Sequence, residues 1–319
     1  MNGIIIVNKE KGFTSHDVVA KLRGILRFKK IGHTGTLDPD ATGVLPVCVG
    51  KATRVCDLLT DKDKTYVAVV KLGVTTDTQD MTGQLLTSAD VSVTEDQLRV
   101  VLKEFTGEID QIPPMYSAIK VNGKKLYELA RQGKEIERKA RRVTIHNLLL
   151  RETALQNDEF TIEVTCSKGT YIRSLCHDIG QRLGCGAAMQ SLVRTRVGEF
   201  CLAEARTLSE IERLVRKSPS NGEDLLMPVD SVFKKYARCD VSGKAMKFLR
   251  NGNLVASGLC RYTHPAAREQ SDSVPERVLT ASDGETVRMY GADGEFYALY
   301  RYDGGDNMYH NVKMFHDEG

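Results

Sequence analysis

The sequence predicts an α+β fold: a mixed, mainly antiparallel central sheet with flanking helices, followed by a small C-terminal β-rich module. Three observations lead there. β-forming runs alternate with runs of helical period through residue 215. Two long β-rich runs, 142–153 and 159–166, follow each other closely enough to pair. Beyond about residue 240, short strands and Gly/Asp turns replace the helices. With 319 residues the chain can bury a large core and still carry a second, smaller domain.

The elements follow in order. Residues 3–7 read as a short buried strand. Ser15 is expected to cap a helix whose Val18, Val19, Leu22, Ile25 and Leu26 recur at helical spacing before a basic Arg27-Phe28-Lys29-Lys30. Residues 51–59 look helical, and 64–72 (KTYVAVVKL) is a strand rich in β-formers. A polar turn, 75–83, precedes a short strand at 84–87. Residues 94–105 form a capped helix with Leu98, Val101, Leu102 and Phe105 inward. Residues 111–142 differ in character: a Pro113-Pro114 break, a hairpin, a helix at 126–132 and a dense charge run make an inserted lobe. Thr170 is expected to cap a helix striped by Ile172, Leu175, Ile179 and Leu183 and closed by Gly184. A helix at 208–215, a linker at 218–222 and a flexible insertion at 262–276 complete the expectation.

Composition excludes several classes. Hydrophobic content of 41% and charged content of 27% are those of a soluble globular protein. No run approaches the roughly 18 apolar residues of a membrane span, and the N-terminal apolar run is too short for a secretory signal. Eight cysteines without a Cys-x-x-Cys pair point to reduced thiols in a cytosol, and away from structural zinc. The net charge of +3 conceals a polarity. Residues 120–142 hold nine Lys/Arg against three Glu, whereas 271–319 hold four Lys/Arg against ten acids. The middle of the chain is therefore a candidate polyanion contact or a solvated helix face, and the acidic tail should avoid phosphates.

Residues 31–54 (IGHTGTLDPDATGVLPVCVGKATR) carry the chemistry. Glycines and prolines shape a loop around Leu37-Asp38-Pro39, just before an apolar strand. Asp38, ionised at neutral pH, can serve as nucleophile, general base or metal ligand, or can simply start an Asx turn. Asp40 is the one close acid, so a metal site is weakly supported. His33 can orient a substrate or fill a turn, and Tyr66 is by default a half-buried strand aromatic. Arg173 falls in the first turn of a helix, where the dipole disfavours a cation. A cation placed against that preference wants an anionic partner, and Asp38 is a candidate.

Five blocks in one order, GHTGTLDPDATGVLPVCVGKATR, KTYVAVVKLGVTTDTQDMTG, PPMYSAIKVNGKKLYELARQG, GTYIRSLCHDIG and SLVRTRVG, resemble the bacterial TruB family of tRNA pseudouridine synthases over residues 3–214. The resemblance implies a pseudouridine synthase fold in residues 1–225, with 111–142 as its RNA-clamping lobe. A linker at 226–240 and a PUA-like module at 241–319 would follow. It implies Asp38 as catalyst, Tyr66 as the base-stacking tyrosine, and Tyr171 as the aromatic over the reacting ring. Arg173 would pair with the catalytic carboxylate, His33 would meet the RNA loop, and Leu192 would line the pocket. Lys124, Lys125, Arg141 and Arg142 would contact RNA. The implied reaction converts the uridine at T-loop position 55 of tRNA to pseudouridine in the cytoplasm, by a monomer that needs no cofactor or metal. Asp38 could attack C1′, take the C2′ proton or add to C6. Rival readings are a guide-RNA-dependent relative acting on other RNAs, and an RNA-binding or folding protein on the same scaffold. A carboxylate glycosidase is a third, and would need a second acid that the sequence does not display.

Overall fold

A computed structural model describes residues 1–121, 123–263 and 281–316. The chain starts with strand β1 (Gly3–Lys9), almost wholly buried, and helix α1 (Ser15–Leu26). The cap of α1 is Thr14, one residue earlier than expected. Its side chain accepts from the Asp17 N–H while Asp17 accepts from the Thr14 N–H, a reciprocal capping box. Ser15 is buried instead and serves the neighbouring loop. β2 (Ile31–His33) and β3 (Thr42–Val49) flank the Asp38 loop. The helix expected at 51–59 is a 3-10 turn, Gly50–Val55, followed by a short α2 (Cys56–Thr60).

β4 (Lys64–Leu72) is the central strand, and β5 (Val74–Thr76) and β6 (Leu85–Ser88) form a hairpin beyond it. Helix α3 (Glu95–Glu104) buries Leu98, Val101 and Leu102 as its spacing demands. β7 (Gly107–Gln111) leads into the lobe, built from β8 (Lys120–Val121), β9 (Lys124–Lys125) and α4 (Leu126–Ala130). β10 (Arg141–Ala154) and β11 (Glu159–Cys166) pair antiparallel, as the two long runs suggested. Helix α5 (Ile172–Leu183) ends on Gly184 in the left-handed conformation, φ 83°. Its cap, however, is Tyr171, which offers no capping side chain, and Thr170 donates its hydroxyl backward to the Ser167 carbonyl. β12 (Ala187–Val197), β13 (Phe200–Cys201) and α6 (Leu208–Lys217) follow.

The large sheet runs β1-β3-β12-β4-β11-β10-β7, with β2 and β13 added at β3 and β12. Every pairing is antiparallel except β12 with β3, which is parallel and spans only Val193–Thr42 and Arg194–Gly43. Helices α3 and α5 cover one core, which holds Leu37, Tyr66, Ile172 and Leu192. Helices α1 and α6 cover another against β1 and β3.

The C-terminal part comprises β14 (Ala237–Val241), α7 (Met246–Arg250), β15 (Val255–Ala256), β16 (Cys260–Thr263), β17 (Thr286–Tyr290), β18 (Phe296–Asp303) and β19 (Met308–Met314). They form a second sheet with the order β15-β19-β18-β17-β14-β16. Phe233, Leu299 and Phe315 share one apolar cluster with Ile4, Ile6 and Val44, so the two sheets are packed together. The stretch read as a linker at 218–222 is a fastened turn. The Ser220 hydroxyl bonds Asp224 at 2.5 Å, and Met227 exchanges backbone hydrogen bonds with Ile4. From residue 264 onward, the insertion expected at 262–276 lies outside the described residues.

Candidate active site

The loop between β2 and β3 is held from below by polar groups. The Leu37 N–H donates to the Ser15 hydroxyl at 3.0 Å, and the Pro39 carbonyl accepts from Gly12 N–H and from the Lys9 ammonium. Lys9 is fully buried and also donates to the Phe13 and Glu10 carbonyls. Burial lowers its pKa to about 8, against the pull of Asp38 and Asp40. Arg194 supports the other limb of the loop. It lies 1% exposed in β12 and donates Nε to the Val44 carbonyl at 2.7 Å and Nη1 to the Thr36 carbonyl at 3.3 Å. Buried cations persist only when carbonyls or carboxylates take the place of water. Here one carbonyl under each cation belongs to the loop, Pro39 for Lys9 and Thr36 for Arg194, so each cation also fixes its path.

On this mount, Asp38 meets Arg173 from the first turn of α5. Nε stands 3.0 Å from Oδ2, and Nη2 donates to Oδ1 at 3.3 Å, a two-point guanidinium–carboxylate contact. The Arg173 side chain is 6% exposed and that of Asp38 is 39% exposed, so the arginine is a buried floor beneath a reachable carboxylate. The anionic partner demanded by the helix dipole is thus present. Arg173 also donates Nη1 to the Thr78 carbonyl at 3.0 Å and Nη2 to the Tyr116 carbonyl at 2.8 Å.

A second carboxylate, Asp80, approaches the same Nε at 3.7 Å, with a side chain 14% exposed. Its other oxygen accepts from the Thr78 hydroxyl and from the backbone and hydroxyl of Thr82. In the sequence, 75–83 reads as a plain polar turn and Asp38 alone stands out among the acids. The missed signal was two aspartates, Asp77 and Asp80, among threonines in a glycine-closed turn.

The other expected residues fall as follows. Tyr66 on β4 is buried beside Arg194, and burial raises its phenol pKa, which keeps the hydroxyl protonated. Tyr171 is half-buried; desolvation raises its pKa while nearby Ser117 and Arg141 oppose the shift. Leu192, on β12, is buried in the core that contains Leu37 and Tyr66. His33 ends β2, its Nδ1 accepting from Gly35 N–H at 3.4 Å, and it meets His16 edge-on with ring centroids 5.1 Å apart. Burial and His16 lower its pKa, so His33 is a neutral imidazole at pH 7.

In the lobe, Lys124 and Lys125 sit on β9, where Lys125 donates to the Tyr127 hydroxyl. Arg141 and Arg142 belong to β10, outside the lobe's hairpin. Arg142 is held by Asp110 through two bonds of 3.1 Å, whereas Lys124 and Arg141 have no carboxylate partner among the described residues. A groove of about 500 Å³, lined by Val93, Val100, Glu104 and Arg182, lies at the opposite end of α5 from Arg173 and shares no residue with this site.

Residues 23–172 match the TruB family pseudouridylate synthase N-terminal domain, and 173–234 match the tRNA pseudouridylate synthase B C-terminal domain. The tRNA pseudouridine synthase B of Lachnoclostridium phytofermentans is 53% identical, over 99% of this chain and 100% of its own length. That of Bacillus pumilus is 43% identical, over 94% and 93%. Among solved structures, an H/ACA RNP bound to a substrate RNA containing 2'-deoxyuridine matches with a TM-score of 0.70 at 26% identity, covering 98% of this chain and 85% of that one. A Cbf5-Nop10-Gar1 complex matches with a TM-score of 0.70 at 28% identity, covering 99% and 85%. The mixed sheet, its covering helices and the second β-rich sheet are thus those of pseudouridine synthases. This chain belongs to the TruB family of pseudouridine synthases.

Proposed function

We propose that the chain isomerises uridine to pseudouridine in the T loop of tRNA, with Asp38 as the catalytic carboxylate. The observation that carries this reading is the Asp38–Arg173 pair, a solvent-reachable acid on a buried guanidinium. The reaction breaks N1–C1′, turns the base and joins C5 to C1′; the C5 proton leaves to water and N1 regains one. No net oxidation occurs. In any of the three roles open to Asp38, the carboxylate must be anionic at the start and held in one rotamer. One hydrogen bond from Nη2 and the ion-pair contact of Nε, both from one guanidinium, satisfy both needs.

The uridine must leave the RNA stack, at a cost of a few kcal/mol. Tyr66 and Tyr171 offset part of that by packing on the base, on the order of 1–3 kcal/mol per aromatic. Leu192 supplies an apolar floor and His33 a neutral surface for the RNA loop. Lys124 and Lys125 on the lobe's hairpin and Arg141 at its stem face phosphates. In this proposal residues 1–225 hold the chemistry, 226–240 join them to the module at 241–319, and the protein works as a cytoplasmic monomer on the T arm. The guide-RNA alternative is less well supported. Relatives of 53% and 43% identity are named as tRNA enzymes, whereas the H/ACA RNP and the Cbf5-Nop10-Gar1 complex stand at 26–28%.

The test is tritium release from uridine-labelled, unmodified tRNA and from an isolated T-arm stem-loop. Asp38→Asn should bind both RNAs within about threefold of the parent and release no tritium. Turnover by that variant, or activity on full tRNA with none on the stem-loop, overturns the assignment.

A further inference from the structure

Gln111 has no role in the site as described, yet it is 2% exposed and both ends of its amide are engaged. Its Oε1 accepts from the Tyr171 N–H at 2.8 Å, and its Nε2 donates to the Tyr171 carbonyl at 3.0 Å. The backbone fixes which end is which, because an N–H can only donate and a carbonyl can only accept. A side chain thus makes with Tyr171 the pair of bonds that a neighbouring strand would make. The contact falls where the fold needs it: Tyr171 caps α5 without a capping side chain, and nothing else among the described hydrogen bonds takes its N–H.

Gln111 also occupies a second strategic place. It ends β7 and pairs across to Arg141, the first residue of β10. These two residues are the stem of the lobe. Five residues on, the Tyr116 carbonyl accepts from Arg173. The start of the lobe is therefore tied to the first turn of α5 at two points, Gln111 to Tyr171 and Tyr116 to Arg173.

We propose that Gln111 is a positioning residue for the isomerisation: it sets Tyr171 over the flipped base and locks the lobe's stem to the uridine pocket. The inference rests on the assignment of Tyr171 as the aromatic that packs on the reacting ring. Binding of the lobe to RNA and closure of the pocket then become one event, because a shift of β7 is carried directly to the Tyr171 backbone. An error of about 1 Å in such a group is enough for roughly a hundredfold loss of rate.

Four variants of the full chain test this in single-turnover tritium release, with RNA affinity measured by filter binding: Gln111→Ala, Gln111→Glu, Tyr171→Ala, and Gln111→Ala combined with Tyr171→Ala. Gln111→Ala should slow the chemical step about 10- to 100-fold with Kd changed less than about threefold. The double variant should be no slower than the slower single, since both act through one ring. Gln111→Glu keeps the acceptor for the Tyr171 N–H and regains the donor only when protonated. Its rate relative to the parent should therefore rise as pH falls from about 8 to 6, because burial raises a carboxyl pKa, a signature a merely structural defect lacks. Multiplying losses in the double variant overturn the proposal, as does a flat pH ratio for Gln111→Glu. A full rate in Gln111→Ala beside a slow Tyr171→Ala overturns the role of Gln111 alone. A full rate in Tyr171→Ala overturns the reading of Tyr171 beneath it. If Gln111→Ala fails to fold, the pH ratio of Gln111→Glu decides.

Discussion

Two arginines in this protein make nearly the same bond in opposite surroundings. Arg173 meets Asp38 at 3.0 and 3.3 Å and has a second carboxylate, Asp80, at 3.7 Å. Arg142 meets Asp110 twice at 3.1 Å and has a second carboxylate, Glu108, at 3.7 Å. Side-chain exposure separates them: 6% for Arg173 and 66% for Arg142. In the outer cluster water screens every charge and either partner can be released to another ligand. In the inner cluster no water replaces a lost partner, so each atom of the guanidinium is committed. Distance alone does not distinguish the Asp38–Arg173 pair from the surface pair; burial does.

Four measurements sharpen or break that contrast. Arg173→Lys should cost most, because one ammonium cannot reach two carboxylates and two carbonyls at once. We expect kcat to fall by at least about 100-fold, roughly 3 kcal/mol, with RNA affinity nearly unchanged. A loss under tenfold would mean the buried cluster is no more demanding than the exposed one. Asp80→Asn removes charge but little volume, and should lower kcat about tenfold while the Asp38–Arg173 contact persists. A parent-like kcat would reduce Asp80 to a turn residue.

A third carboxylate extends the series. Asp178, half-buried on α5, has no hydrogen-bond partner among the described residues, and burial raises its pKa from 3.8 to about 6. Its folded pKa lies above its unfolded one, so the stability it contributes is fully present below pH 3.8 and is lost as pH rises through about 6. Asp178→Asn should therefore raise stability at pH 7 by about 1 kcal/mol after allowance for its partial exposure. Thermal melts at pH 4.5 and 7 check this, and an unchanged pH dependence would contradict it. The smallest effect belongs to the outer pair, where Arg142 holds the Asp110 carboxyl below its usual range. Asp110→Asn should release Arg142 to RNA, tighten binding about twofold and steepen the log–log salt slope by up to roughly 0.9. An identical slope would remove Arg142 from the RNA surface.

What the sequence disclosed divides along similar lines. The helical stripes of α1, α3 and α5 and the paired long strands were legible because their periods repeat locally. The partner of Arg173 was legible in kind, from one misplaced charge in a helix's first turn, although the contact spans 135 residues. Asp80, Gln111 and Arg194 were not. Each acts through a backbone or side-chain contact far away in the chain, such as the 60 residues between Gln111 and Tyr171, and has a local context that any turn or strand would share. Caps failed at finer scale. Thr14 and Ser15 are both good cap residues, and the choice was made by the loop, which takes the Ser15 hydroxyl for Leu37. Thr170 has no cap role: its hydroxyl donates back to the Ser167 carbonyl, while the Tyr171 N–H is satisfied from β7.

The narrow parallel seam between β3 and β12 has a consequence for the protein's descendants. Gly43 sits there at φ 107°, and a Cβ on it would fall on the Arg194 carbonyl. In a library randomised at residue 43 and selected for activity, glycine should be almost the sole survivor. The constraint would resemble that on a substrate-binding residue, although Gly43 has no side chain with which to bind anything. One backbone crossing behind the Asp38 loop should thus confine residue 43 as tightly as a binding role would.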